Sequence, residues 1–94
     1  MKFEWDSAKA AANQRKHGVP FEDATEVFLD PHRVESYDGR EAYGEDRWKT
    51  VGVVVPNLLC VVYTLRKADG ELVRLISARK ADKHERANYR EIHT

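Results

Sequence analysis

Cysteine is nearly absent. Cys60 is the single one among 94 residues, so no intrachain disulfide can form, and this usage fits a reducing compartment. Long apolar runs are missing as well. The longest, Leu58 to Tyr63, covers six residues, whereas a membrane-spanning helix needs about 20. The polar opening Met1-Lys2-Phe3-Glu4-Trp5-Asp6 predicts no signal peptide. Together these absences point to a cytoplasmic protein without a membrane partner. No glycine-rich phosphate loop is present, since Gly39 and Gly44 punctuate a polar stretch. His17, His32, His84 and His93 lack metal-ligand spacing. Neither a metal nor a cofactor is expected.

What is present is charge. Charged residues make up 34% of the chain and hydrophobic ones 41%, enough for one folded domain with a heavily solvated surface. The net charge is zero, but its distribution is uneven. Glu22 to Asp46 holds nine acidic residues against two arginines, a net of −7. From Arg47 onward ten basic residues face five acidic ones, a net of +5. A dipolar chain of this kind can bind an anion on one surface and attract a basic partner on another. Solvated faces without a partner would give the same sums.

The elements follow from local chemistry. Asp6 is a good N-cap for a helix over Ser7 to His17, and Gly18 suits the left-handed position beyond its end. Phe21, Ala24, Thr25 and Phe28 predict a second helix from about Phe21 to Leu29, stopped by Asp30-Pro31. Arg33 to Tyr37 reads as a short edge strand before a long polar loop, in which Tyr37 and Tyr43 could stack on bases. Three strands follow: Arg47 to Val55, Leu58 to Arg66 and Leu72 to Arg79. The middle one, apolar on both faces, is expected to be central. Asp82 with Glu85 three residues on marks the cap of a last helix, with Tyr89 and Ile92 as its apolar contacts. Trp5, Trp48, Tyr63 and Cys60 read as core residues. The predicted class is α+β: two N-terminal helices, an antiparallel meander of three to four strands, and a C-terminal helix.

Cations gather where strands end. Strict alternation along the last strand groups Val73, Leu75, Ser77 and Arg79 on one face and Leu72, Arg74, Ile76 and Ala78 on the other. Arg66 closes the preceding strand. Lys80 adjoins a helix start, where free N–H groups favour anions. Arg66, Arg79 and Lys80 can thus form a phosphate-binding rim, or pair with the abundant carboxylates as surface salt bridges. Lys16 and His17 stand at a helix C-terminus, a position that suits cations. They either cap that helix or act as proton donor and acceptor beside the arginines.

Several segments together are specific. "KFEWDSAKAAANQRKHGVPFEDATEVFLDP", "RWKTVGVV", "VVYTLR" and "RLISARKADKHERANY" resemble the BrnT family of toxins from bacterial type II toxin–antitoxin modules, in order over nearly the whole chain. The resemblance implies a RelE-like fold and a ribonuclease that arrests translation. It also implies neutralisation by a BrnA-type antitoxin in a hetero-oligomer, for which 2:2 is one arrangement, with operator DNA bound only through the antitoxin. By this reading Lys16, His17, Arg66 and Arg79 are the catalytic candidates, and Arg74 and Lys80 contact RNA. Metal-free cleavage by 2′-hydroxyl attack requires the guanidinium groups of Arg66 and Arg79 to converge on one phosphate. Arg79→Ala is then expected to abolish toxicity while leaving the melting temperature nearly unchanged. An inactive antitoxin-binding co-repressor and a small RNA-binding module are the alternatives. The acidic stretch attracts a basic antitoxin segment in one reading and only aids solubility in the other.

Overall fold

Chain order and spatial order differ in the sheet. The computed structural model describes residues 1–40, 44–67 and 69–92. Along the chain run β1 (Lys2–Glu4), α1 (Ser7–His17), α2 (Phe21–Ala24), a 3-10 turn (Thr25–Leu29), β2 (Val34–Gly39), β3 (Arg47–Val54), β4 (Asn57–Leu65), β5 (Leu72–Lys80) and α3 (Lys83–Ile92). The spatial order is β1-β5-β4-β3-β2. Strands β2 to β5 form the expected antiparallel meander, with β4 central. β1 is an addition: it pairs with β5 in parallel and sets Glu4 opposite Arg74. The α+β class holds, but the sheet is mixed and has five strands.

Helices cover both faces. Val19, Phe21, Ala24 and Val27, from α2 and the segments beside it, pack on Leu59, Val61, Tyr63, Val73, Leu75 and Ala78. On the other face Val51, Cys60 and Ala81 make a smaller cluster with Leu58 and Tyr89. The second helix is shorter than expected. After Ala24 it tightens into the 3-10 turn, where the Thr25 hydroxyl donates back to the Glu22 carbonyl at 2.7 Å. There Val27 meets β3 at Gly52, where an added Cβ would lie 3.1 Å from Val27 Cγ1. Ile92 is 55% exposed, so Tyr89 carries the apolar docking of α3 without it. Tyr43 lies outside the described residues.

Two polar side chains tie the layers together. Asn13, buried on α1, donates to the Ala78 carbonyl at 2.8 Å and accepts from the Ala78 N–H at 3.1 Å. Its carboxamide therefore serves Ala78 as a neighbouring strand would, beyond the short reach of β1. It also donates to the Val19 carbonyl at 3.1 Å, fixing the exit from α1. Asp30 works at the other end of the sheet. Its carboxylate accepts from Val53 N–H at 2.9 Å, His32 N–H at 2.8 Å and the Tyr89 hydroxyl at 2.7 Å, joining the 3-10 turn to β3 and α3. Burial pushes the Asp30 carboxyl up, but these donors outweigh it and hold the group below its usual range.

A bulge decides which way the arginines face. The β4–β5 register passes from Val62 opposite Ser77 to Tyr63 opposite Leu75, leaving Ile76 as an extra residue. Side-chain parity therefore flips within β5. Val73, Leu75 and Ala78 all enter the core under the N-terminal helices, while Arg79 faces the same way as its partner Cys60, and Arg74 as Thr64. Strict alternation places Arg74 and Arg79 on opposite faces; the bulge puts both on the α3 side.

Asn13→Ala is expected to lower unfolding free energy by about 3 kcal/mol, because buried backbone groups at Ala78 and Val19 lose their partners. Urea denaturation of the two proteins measures it. A change below about 0.5 kcal/mol would mean that water replaces the carboxamide.

Candidate active site

The α3 face carries three arginines in a row, and they do not share one site. Arg79 stands opposite Cys60, and Arg66 lies six residues further along the chain of β4, so their backbones are about 20 Å apart. Instead of converging, Arg66 pairs with Glu4 and Glu45 and Arg79 with Glu85, so the two guanidinium groups are engaged by different carboxylates. Arg74 sits between them and belongs with Arg66.

Arg79 is committed to Glu85. Its two terminal nitrogens donate to the two Glu85 oxygens at 2.7 and 2.9 Å, and one also reaches the Lys80 carbonyl at 3.2 Å. The Glu85 side chain is only 9% exposed, and Lys49 Nζ approaches it at 3.3 Å. Glu85 is also the capping residue expected from the sequence: it accepts from Asp82 N–H at 2.9 Å, and Asp82 accepts from Glu85 N–H at 2.8 Å. The Arg79 hydrogen bonds hold the Glu85 carboxyl down at about 2 against the opposing effect of burial. Glu85 in turn raises Arg79, whose charge is permanent in any case. Nearby, burial pushes the Cys60 thiol up to about 12, so it stays protonated and unreactive. A buried bidentate pair that also caps α3 is a lock on the helix, and the salt-bridge reading of Arg79 describes it.

At the far end of the same face the cations are held more loosely. Glu4 Oε2 lies 2.7 Å from Arg74 NH1 and 3.7 Å from Arg66 Nε. Glu45 Oε1 lies 3.6 Å from Arg66 NH1. The Arg66 side chain is 46% exposed, and ion pairs this long and this wet contribute little to stability. They can be exchanged for a phosphate. A groove of about 390 Å³ opens beside Arg66, bordered by Arg40, Glu45, Thr64 and Lys67. Thr64 donates to the Asp46 carbonyl at 2.7 Å and so holds the loop against β4.

The remaining candidates lie across the sheet. α1 packs on the face opposite α3, and Lys16 and His17 end it beside Gly18, whose φ of 72° turns the chain as expected. Lys80, opposite Leu59, faces that side and borders a groove with Gly18, Val19 and Pro20. Lys16, His17 and Lys80 thus occupy one end of the α1 side, away from Arg66 and Arg74. Tyr37 is tied down as well: its hydroxyl donates to Asp46 at 2.8 Å and its ring meets Trp48 edge-on at 5.2 Å. Among the described residues no three His, Cys, Asp or Glu side chains gather as metal ligands. Among the described residues no helix is long and apolar enough to cross a membrane.

Glu4 was not legible as a site residue. Lys2-Phe3-Glu4-Trp5 alternates polar and apolar, the only local sign of a strand, and nothing local specifies parallel pairing with a segment some 70 residues later. Asn13 carried no signal beyond its place in the motif with Lys16 and His17.

Comparison with known proteins agrees with the geometry. Residues 5–85 match the family model described as "Ribonuclease toxin, BrnT, of type II toxin-antitoxin system". The 1.1 Å crystal structure of the Brucella abortus ribonuclease toxin BrnT superposes with a TM-score of 0.63 at 28% identity, covering 88% of this chain and 99% of that one. No curated protein sequence matches.

A double-mutant cycle with Arg79→Met and Glu85→Gln is expected to show a coupling of about 1–2 kcal/mol at neutral pH, discounted for the partial exposure of Arg79. The folded Glu85 carboxyl lies below its unfolded value of 4.5, so its contribution is fully present above that pH and disappears as pH falls toward about 2. Denaturation curves between pH 2 and 7 check both. Arg79→Ala is accordingly expected to lower the melting temperature, the reverse of the expectation from sequence.

Proposed function

The chain belongs to the BrnT family of ribonuclease toxins of type II toxin–antitoxin systems, and on that premise we propose that Arg66 and Arg74 bind the scissile phosphate of its RNA substrate. One observation carries this reading: two guanidinium groups meet at a single partly exposed carboxylate on an open sheet face, Arg74 at 2.7 Å and Arg66 at 3.7 Å, where a phosphate can compete for the same donors. Guanidinium forks match phosphoryl oxygens in shape and donate in parallel. In cleavage by 2′-hydroxyl attack, negative charge builds on those oxygens as the phosphorus becomes five-coordinate. Fixed donors aimed at that charge stabilise the transition state more than the ground state, with no metal ion needed for it.

In this reading Arg79 acts at a distance, holding Glu85 and α3 so that the sheet face keeps its shape. Lys16, His17 and Lys80 form a separate cationic edge that contacts RNA backbone away from the reacting bond. Cleavage arrests translation in the cytoplasm, and a BrnA-type antitoxin neutralises the toxin in a hetero-oligomer. A groove of about 550 Å³ with Asp23, Glu26 and Asp30 beside exposed Leu29 and Val55 repels phosphate and suits a basic antitoxin segment instead.

Incubating purified toxin with RNA in EDTA tests the chemistry. Cleavage should persist, and Arg66→Ala or Arg74→Ala should each lower the rate by about 10²–10³. Loss of cleavage in EDTA, or full activity in both variants, overturns the reading. Complex formation with the antitoxin but no RNA product from the wild type favours a co-repressor without catalysis. Salt-sensitive RNA binding without product favours a binding module.

A further inference from the structure

We propose that Glu4 is the general base that removes the 2′-hydroxyl proton, an inference that rests on Arg66 and Arg74 being the phosphate site. A base in this reaction must lie within hydrogen-bond reach of a hydroxyl whose neighbouring phosphate is held by the cations. Glu4 meets that requirement by position. β1 pairs with β5 so that Glu4 stands opposite Arg74, and both arginine contacts run to the same oxygen, at 2.7 and 3.7 Å. The other oxygen, Oε1, accepts no hydrogen bond from a described residue. A phosphate entering between the guanidinium groups takes over their donors, and the displaced carboxylate remains beside the ribose.

Other carboxylates near the cations are less suited. Glu85 is buried, held by Arg79 and strongly acidic, at about 2. Among the described cations, Glu45 pairs with Arg66 and not with Arg74. Lys16 and His17 lie on the α1 side of the sheet.

The step balances as follows. The Glu4 carboxylate takes the 2′-hydroxyl proton as the 2′-oxygen bonds to phosphorus. The bond from phosphorus to the 5′-oxygen breaks, and the leaving oxygen takes a proton from water. The products are a 2′,3′-cyclic phosphate and a 5′-hydroxyl, and the hydroxide formed is neutralised by the proton held on Glu4.

The test measures kcat/KM against pH on a single-stranded oligoribonucleotide for the wild type, Glu4→Gln, Glu4→Ala, Arg66→Ala and Arg74→Ala. Each variant is first melted to confirm that it folds. The wild-type rate should fall tenfold per unit on the acid side, as the base becomes protonated. Glu4→Gln should cleave about 10²–10⁴ times more slowly and lose that acid limb. Formate should partly restore Glu4→Ala but not the arginine variants. Glu4→Gln within a few-fold of wild type with its acid limb intact overturns the assignment, as does a slow variant that formate does not rescue. If the arginine variants are still impaired in either case, only the base is misassigned. If they also cleave normally, the phosphate site itself is wrong.

Discussion

The Glu85 carboxylate is the point on which the α3 side of the molecule turns. It is nearly buried, and a carboxylate removed from water must be matched by charge and by donors. Arg79 supplies both through a bidentate pair, Asp82 N–H adds a third donor, and Lys49 adds a second charge. One group thereby starts a helix, fixes it to two strands and pairs with a cation on each of them. Cys60 is shut in below and stays a thiol. The arrangement ties α3 to β3 and β5 and engages both terminal nitrogens of Arg79.

The other half of the face is built differently. α3 covers Val51 and Cys60 but not the end of the sheet where Arg66, Arg74 and Glu4 meet. The two ion-pair clusters have similar composition and opposite physical character. One is bidentate at 2.7 and 2.9 Å around a carboxylate only 9% exposed; the other has one close contact and two beyond 3.5 Å around carboxylates that are 34% exposed. In the first, breaking the pair leaves a buried charge. In the second, the charges are already partly in contact with water.

Much of the fold was legible because its causes are local. Asp6 and Gly18 bracket α1, Asp82 and Glu85 cap α3, and the apolar run around Cys60 marks the central strand. Errors arose where the cause was distant. The bulge at Ile76 reverses the facing of every later residue on β5, yet Ile76 looks like any other strand residue. Helix 2 gave way to a 3-10 turn where the chain must pass Gly52, a contact with a strand met later in the sequence. Nothing local marked Asn13, whose carboxamide completes the edge of β5.

The amino-acid sequence by itself determined most of the elements, the α+β class and, through segments spread along the chain, the resemblance to a toxin family. These depend on capping, periodicity and composition, which act over a few residues or survive as a pattern. Only the tertiary structure decided which arginines stand together. Strand register and burial set that choice: a single extra residue on β5 turned Arg74 and Arg79 to one face, and helix α3 then paired one of them while leaving the other to Glu4 and Arg66. Electrostatic partnership depends on distance and water, and neither is written in the order of the residues.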